Sequence, residues 1–103
     1  MATNNLKDVI ADRKLSLLDD KKKAITVLIG KPQRLPDSSD YYCPFQVIGL
    51  GDEKVRQAIG IDAVQAMQLV MKMIGAYLQS LNQTTGGSLR WAGDETGDLG
   101  FPL

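Results

Sequence analysis

The stretch Asp62-Ala63-Val64-Gln65-Ala66-Met67-Gln68-Leu69-Val70-Met71-Lys72-Met73-Ile74-Gly75-Ala76-Tyr77-Leu78-Gln79-Ser80-Leu81 decides the fold. Asp62 supplies a side chain able to accept from a backbone N–H in the first turn, and Gln65 stands where a capping-box partner reaches back, so a helix is expected over 60–83. At about 100° per residue, Gln65, Gln68, Lys72, Gly75 and Gln79 form one narrow stripe, with Ala63, Ala66, Met67, Val70, Ile74, Tyr77 and Leu81 opposite. Leu69, Met73 and Ala76 flank the stripe on one side, and Val64, Met71 and Leu78 on the other. One flat layer of strands shields one face, so the extra flanks call for a second covering surface. Gly75 falls in the stripe nearest solvent, where it weakens the helix; close approach by another backbone would account for it.

The residues before the helix alternate with a period of two. Val9, Ala11, Leu15 and Leu17 interleave with Ile10, Asp12, Lys14 and Ser16, which predicts a first strand over 8–18. The charged block Asp19 to Lys23 separates it from Ala24 to Ile29, giving a hairpin. Gly30, Pro32, Pro36 and the run Asp37 to Asp40 read as a surface loop of about ten residues. A third strand, Pro44 to Leu50, turns through Gly49-Leu50-Gly51-Asp52 into a fourth, Lys54 to Ile59. After the helix, Thr84-Thr85-Gly86-Gly87 is a stop, Ser88 to Trp91 reads as a short fifth strand, and 93–103 as an irregular tail. The expected fold is α+β: an antiparallel meander of four strands, five with the last, and one long helix on one face. One domain over 1–103 suits this length, with 1–6 and 93–103 irregular or flexible.

Five segments occur in a distinctive order: Tyr41-Tyr42-Cys43-Pro44-Phe45-Gln46, Gly49-Leu50-Gly51-Asp52, Gly60-Ile61-Asp62-Ala63-Val64-Gln65-Ala66, Leu89-Arg90-Trp91 and Asp98-Leu99-Gly100-Phe101-Pro102. Together they make the chain resemble, from Leu6 to Pro102, a family of short bacterial proteins defined as a domain of unknown function. The resemblance implies a stand-alone bacterial, cytoplasmic domain, and it carries no catalytic residue with it.

Composition narrows the function classes. The 12 basic and 12 acidic residues cancel, which argues against nucleic acid and anionic membranes as partners. No apolar run approaches the roughly 20 residues of a bilayer span. One cysteine precludes an internal disulfide, and the amino terminus lacks the pattern of a secretion signal, so a reducing cytoplasm is expected. Histidine is absent, which removes the commonest general base and transition-metal ligand. Cys43 has aromatic and proline neighbours and no adjacent cation to activate it, so it reads as a small buried residue rather than a nucleophile. Asp94, Glu95 and Asp98 lack the spacing of a calcium loop. Gly49 and Gly51 begin a dinucleotide-like pattern that Lys54 breaks. Lys21 to Lys23 sit at a hairpin tip beside two aspartates, as solvated turns do. No cofactor or metal is expected.

What remains is surface. Tyr41, Tyr42, Arg90, Trp91 and Phe101 are the residue types that anchor interfaces, although rings at element ends also plug small cores. With the helix-flank residues Val64, Leu69, Met71 and Met73 they make the candidate interaction surface. The expected function is a non-enzymatic protein-binding domain, such as an inhibitor, immunity or adaptor protein, with a structural homodimer as the alternative. A small enzyme using carboxylates or Cys43 is the remaining alternative class.

Overall fold

Asp62 caps the one helix among the described residues. Its Oδ1 accepts from Gln65 N at 2.8 Å, while Gln65 Oε1 accepts from Ile61 N at 2.8 Å, so one first-turn donor and the N–H just before the cap are both paired. The computed structural model describes residues 6–92 and 94–102. Its elements are β1 (Val9–Leu17), β2 (Ile25–Gly30), β3 (Gln33–Arg34), β4 (Tyr41–Ile48), β5 (Arg56–Gly60), α1 (Ala63–Thr84) and β6 (Leu89–Trp91). α1 stops where Gly86 and Gly87 turn to φ of 70° and 82°, and Gly87 N donates to Asn82 O at 2.9 Å.

All strand pairs are antiparallel. β1, β2, β4 and β5 neighbour one another in chain order, which is the expected meander, and β6 adds to the outer edge of β1 with Leu15 opposite Trp91. β3 was not expected: within the predicted loop it continues the edge of β2 along β4. Tyr41, Tyr42 and Phe45 therefore each have a cross-strand partner on both sides. β4 also starts earlier than the sequence suggests, at Tyr41 rather than Pro44. Pro44 is tolerated inside the strand because it falls opposite a bulge: from Ile29↔Phe45 to Gln33↔Tyr42 one side advances four residues and the other three.

The core lies between sheet and helix. Ile25, Val27, Cys43, Phe45 and Val47 face Ala66, Val70, Ile74, Leu78 and Leu81, all buried. α1 packs on β4 and β5, running antiparallel to β5: Gly60 lies against Ala66 and Arg56 against Tyr77. A Cβ on Gly60 would come within 2.5 Å of Ala66 N, so only glycine permits this close crossing. The other face of β4 is covered too. Gln46, 1% exposed, accepts from Leu6 N at 3.1 Å and donates through Nε2 to Glu53 O at 2.7 Å.

Residues 94–102 form no helix or strand, but they are held, and residues 1–5, 93 and 103 of the segments expected to be irregular lie outside the described residues. Phe101 and Pro102 lie across Gly75 of α1, and Arg13 of β1 donates through Nη1 to Leu99 O at 3.0 Å. Gly75 is consequently buried, not in the solvent stripe where the helical period alone puts it. No helix among the described residues is long and apolar enough to cross a membrane.

Candidate interaction surface

The candidate residues separate into three regions. Arg90, Trp91 and Phe101 lie at the β6 and tail side, but the guanidinium that organises the rings is Arg13, which the sequence reading did not single out. Its Cζ sits 3.9 Å from the Trp91 ring centroid and 4.8 Å from that of Phe101. A planar cation between two rings, with one N–H on a carbonyl, fixes the tail to β1. Arg90 instead turns back on its own strand, with Nη1 donating to Gly87 O at 2.8 Å and Leu89 O at 2.7 Å. All three are partly buried, so this cluster serves mainly to hold the chain to itself.

Tyr41 and Tyr42 lie in β4 and point to opposite faces. Tyr41 packs against the core, and Tyr42 Oη reaches Gln33 Oε1 at 3.4 Å. Neither is an exposed stacking face.

The third region is α1. Met71 is partly buried, packed near Phe101, so the tail covers the flank that carries Met71 and Gly75. Val64, in the first turn, stays 63% exposed, and Met67, expected in the apolar arc, is 40% exposed. Leu69 and Met73 are 39% and 38% exposed, and Ala76 beside them is exposed. Leu69 follows Ala66 by three residues, Met73 precedes Tyr77 by four and Ala76 follows Met73 by three, and Ala66 and Tyr77 rest on β5. The uncovered flank therefore overhangs β5.

β5 is itself an edge. Among the described residues it pairs with β4 alone, so its other side presents unpaired backbone groups. Val55, Ile59 and Ile61, at alternate positions along this segment, are 37%, 49% and 72% exposed. The arrangement is a strand edge with apolar side chains on one face and the Leu69–Met73 flank above the other.

Ion pairing sets the start of β5. Asp52 accepts from Arg56 through two bonds of 2.9 Å, and Arg56 Cζ lies 4.1 Å from the Tyr77 ring centroid. The Arg56 hydrogen bond, with one from the Lys54 backbone, holds the Asp52 carboxyl far below the ordinary carboxylate range. Burial pushes the Tyr77 phenol up, and the Arg56 cation opposes that rise. This trio was missed by the sequence reading; its four-residue spacing across a turn was the available signal.

The residues considered for chemistry lie apart. Cys43 is fully buried, donates to Gly30 O at 3.4 Å, and has its thiol pKa pushed up by burial. Asp94 Oδ1 accepts from the Thr96 hydroxyl at 2.6 Å and from Thr96 N at 2.7 Å, which lowers its pKa, and Asp98 Oδ1 accepts from Gly100 N. Both carboxylates thus hold turns of the tail. Among the described residues no three His, Cys, Asp or Glu side chains are grouped to hold a metal ion. A groove of about 430 Å³ between α1 and the tail is lined by Gln79, Asn82, Thr96 and Asp98 together with Leu99 and Phe101.

The family model of a domain of unknown function (DUF6968) matches residues 11–103. The chain belongs to that family. The match includes every element from β2 to the tail and most of β1, so the family is defined over the sheet, the helix and the tail that covers it. No curated protein and no solved structure matches the chain.

Proposed function

We propose that this chain is a non-enzymatic protein-interaction domain that receives an extended segment of a partner along the free edge of β5. The observation that carries this reading is the coincidence of an open strand edge with the uncovered flank Leu69, Met73 and Ala76 of α1. Strand addition draws its affinity from main-chain hydrogen bonds and its specificity from side-chain contacts on either face of the added strand. Here Ile59 and Ile61 would meet one face, and Leu69 and Met73 the other. Inhibitor, immunity and adaptor roles are all compatible with such a site. A bacterial cytoplasm, where the lone thiol stays reduced, is the setting this reading assumes.

The test is comparative capture from cells of the source organism. Wild type and a Leu69→Glu/Met73→Glu variant, both at exposed positions, are used as bait with mass-spectrometric identification. A protein held by wild type and lost by the variant, and bound directly when purified, is the expected result. Identical capture by both baits would overturn the assignment of this surface.

A further inference from the structure

We infer that the segment received by β5 is β5 of a second copy, forming a two-fold dimer with a continuous sheet; this rests on the strand-addition reading above. Antiparallel self-pairing places residues of like parity opposite one another, and the positions flanking Ala58 match themselves across such an axis. With the axis at Ala58, Gln57 faces the partner's Ile59, and Val55 faces the partner's Ile61, so three exposed apolar side chains gain cross-strand neighbours. Carried past both ends of β5, the same register sets Lys54 against the partner's Asp62, an opposite-charge pair made twice by symmetry. Arg56, occupied by Asp52 and Tyr77, faces the partner's Gly60, which has no side chain to crowd it. Moving the axis to Gln57 would set Asp52 against the partner's Asp62, like charge on like charge; moving it to Ile59 would lose the Lys54 pairing.

The helices fit the same axis. α1 lies over β4 and β5, so joining two β5 edges sets the two helices two strand spacings apart, about 10 Å, which is the separation at which helices pack. Along α1, Gly60 lies level with Ala66 and Arg56 level with Tyr77, so Ala58 lies level with the stretch that Leu69 and Met73 bracket. Leu69 therefore meets the partner's Met73, and the reverse. One operation thus pairs the strand edges, the charges and the apolar helix flanks.

Sedimentation equilibrium at micromolar concentration tests this. Wild type is expected at twice the chain mass of 11.2 kDa. Leu69→Glu/Met73→Glu is expected at the single-chain mass with an unchanged far-ultraviolet circular dichroism spectrum. Lys54→Asp, at an exposed site, is expected to raise the dissociation constant about tenfold through its two symmetric pairs. That effect should shrink when combined with Asp62→Asn, which keeps an acceptor for the helix cap. Three results overturn the dimer: a wild-type monomer, a Leu69→Glu/Met73→Glu variant that still dimerises, or a Lys54→Asp effect unchanged by Asp62→Asn. A wild-type monomer leaves the strand-addition reading standing, since the edge is then free for another protein; only the capture comparison removes it.

Discussion

Gly75 lies directly beneath the carbonyl of Pro102: a Cβ on the glycine would come within 2.8 Å of that oxygen and 3.5 Å of Phe101 Cβ. The obstructing atom is backbone, so it does not rotate away. An alanine in mid-helix otherwise gains up to about 1 kcal/mol over glycine. Here the tail must shift to admit it.

Gly75→Ala should therefore loosen the tail rather than strengthen the helix, with a net loss of about 1–2 kcal/mol. Trp91 is the sole tryptophan and lies against Gly100 and Arg13, so its emission should move toward that of an exposed indole. Limited proteolysis should show faster cleavage within 92–102. A variant more stable than wild type with an unshifted Trp91 spectrum would contradict the close contact.

Arg13→Met retains most of the stem but loses the guanidinium contacts with Trp91 and Phe101 and the hydrogen bond to Leu99 O. The expected cost is about 1–3 kcal/mol by urea unfolding. Arg13→Lys should recover only part of it, because an ammonium cannot stack flat on a ring. Full recovery by lysine would show that charge alone, not the planar fork, holds the tail.

Asp52 is held below its ordinary pKa, so the contribution of its ion pair is complete above the unfolded-state value of about 4 and is lost as pH falls through the lower folded-state value. Asp52→Asn should flatten this part of the acid limb in unfolding measured from neutral pH downward. Tyr77 acts at the other end: its raised pKa gives stability complete below the unfolded-state value near 10 and lost as pH rises beyond it. Tyr77→Phe should remove that alkaline loss. An acid limb identical in wild type and Asp52→Asn would show that the Asp52–Arg56 pair does not form in solution.

The parts of the fold legible in the sequence were those with local signals. Asp62 and Gln65 announce α1, alternation from Val9 to Leu17 marks β1, and glycines mark the turn into β5. Pro44 misled the reading of β4, because a proline is excluded from a central strand unless a bulge faces it, and the bulge at Gly30–Pro32 is a property of the pairing, not of either segment. The clamp on the tail was also illegible: Arg13 and Leu99 are 86 residues apart, and neither carries a local mark of the other. For the candidate surface, the excess apolar arc of α1 was visible, but not which side the tail would take. Gly75 was the one hint, a glycine where helical propensity asks for alanine.

The β1 strand leaves the ribosome ahead of β6 and the tail, yet its outer edge is completed by β6 and its Arg13 is enclosed by Trp91 and Phe101. Until residue 101 has left the ribosome, Val9 to Leu17 can be paired on the β2 side only, with an unsheathed arginine in place of its final aromatic sleeve. Such late closure by distant contacts slows folding. It gives nascent chains on one polysome time to meet through the very strand that residues 89–101 are meant to finish.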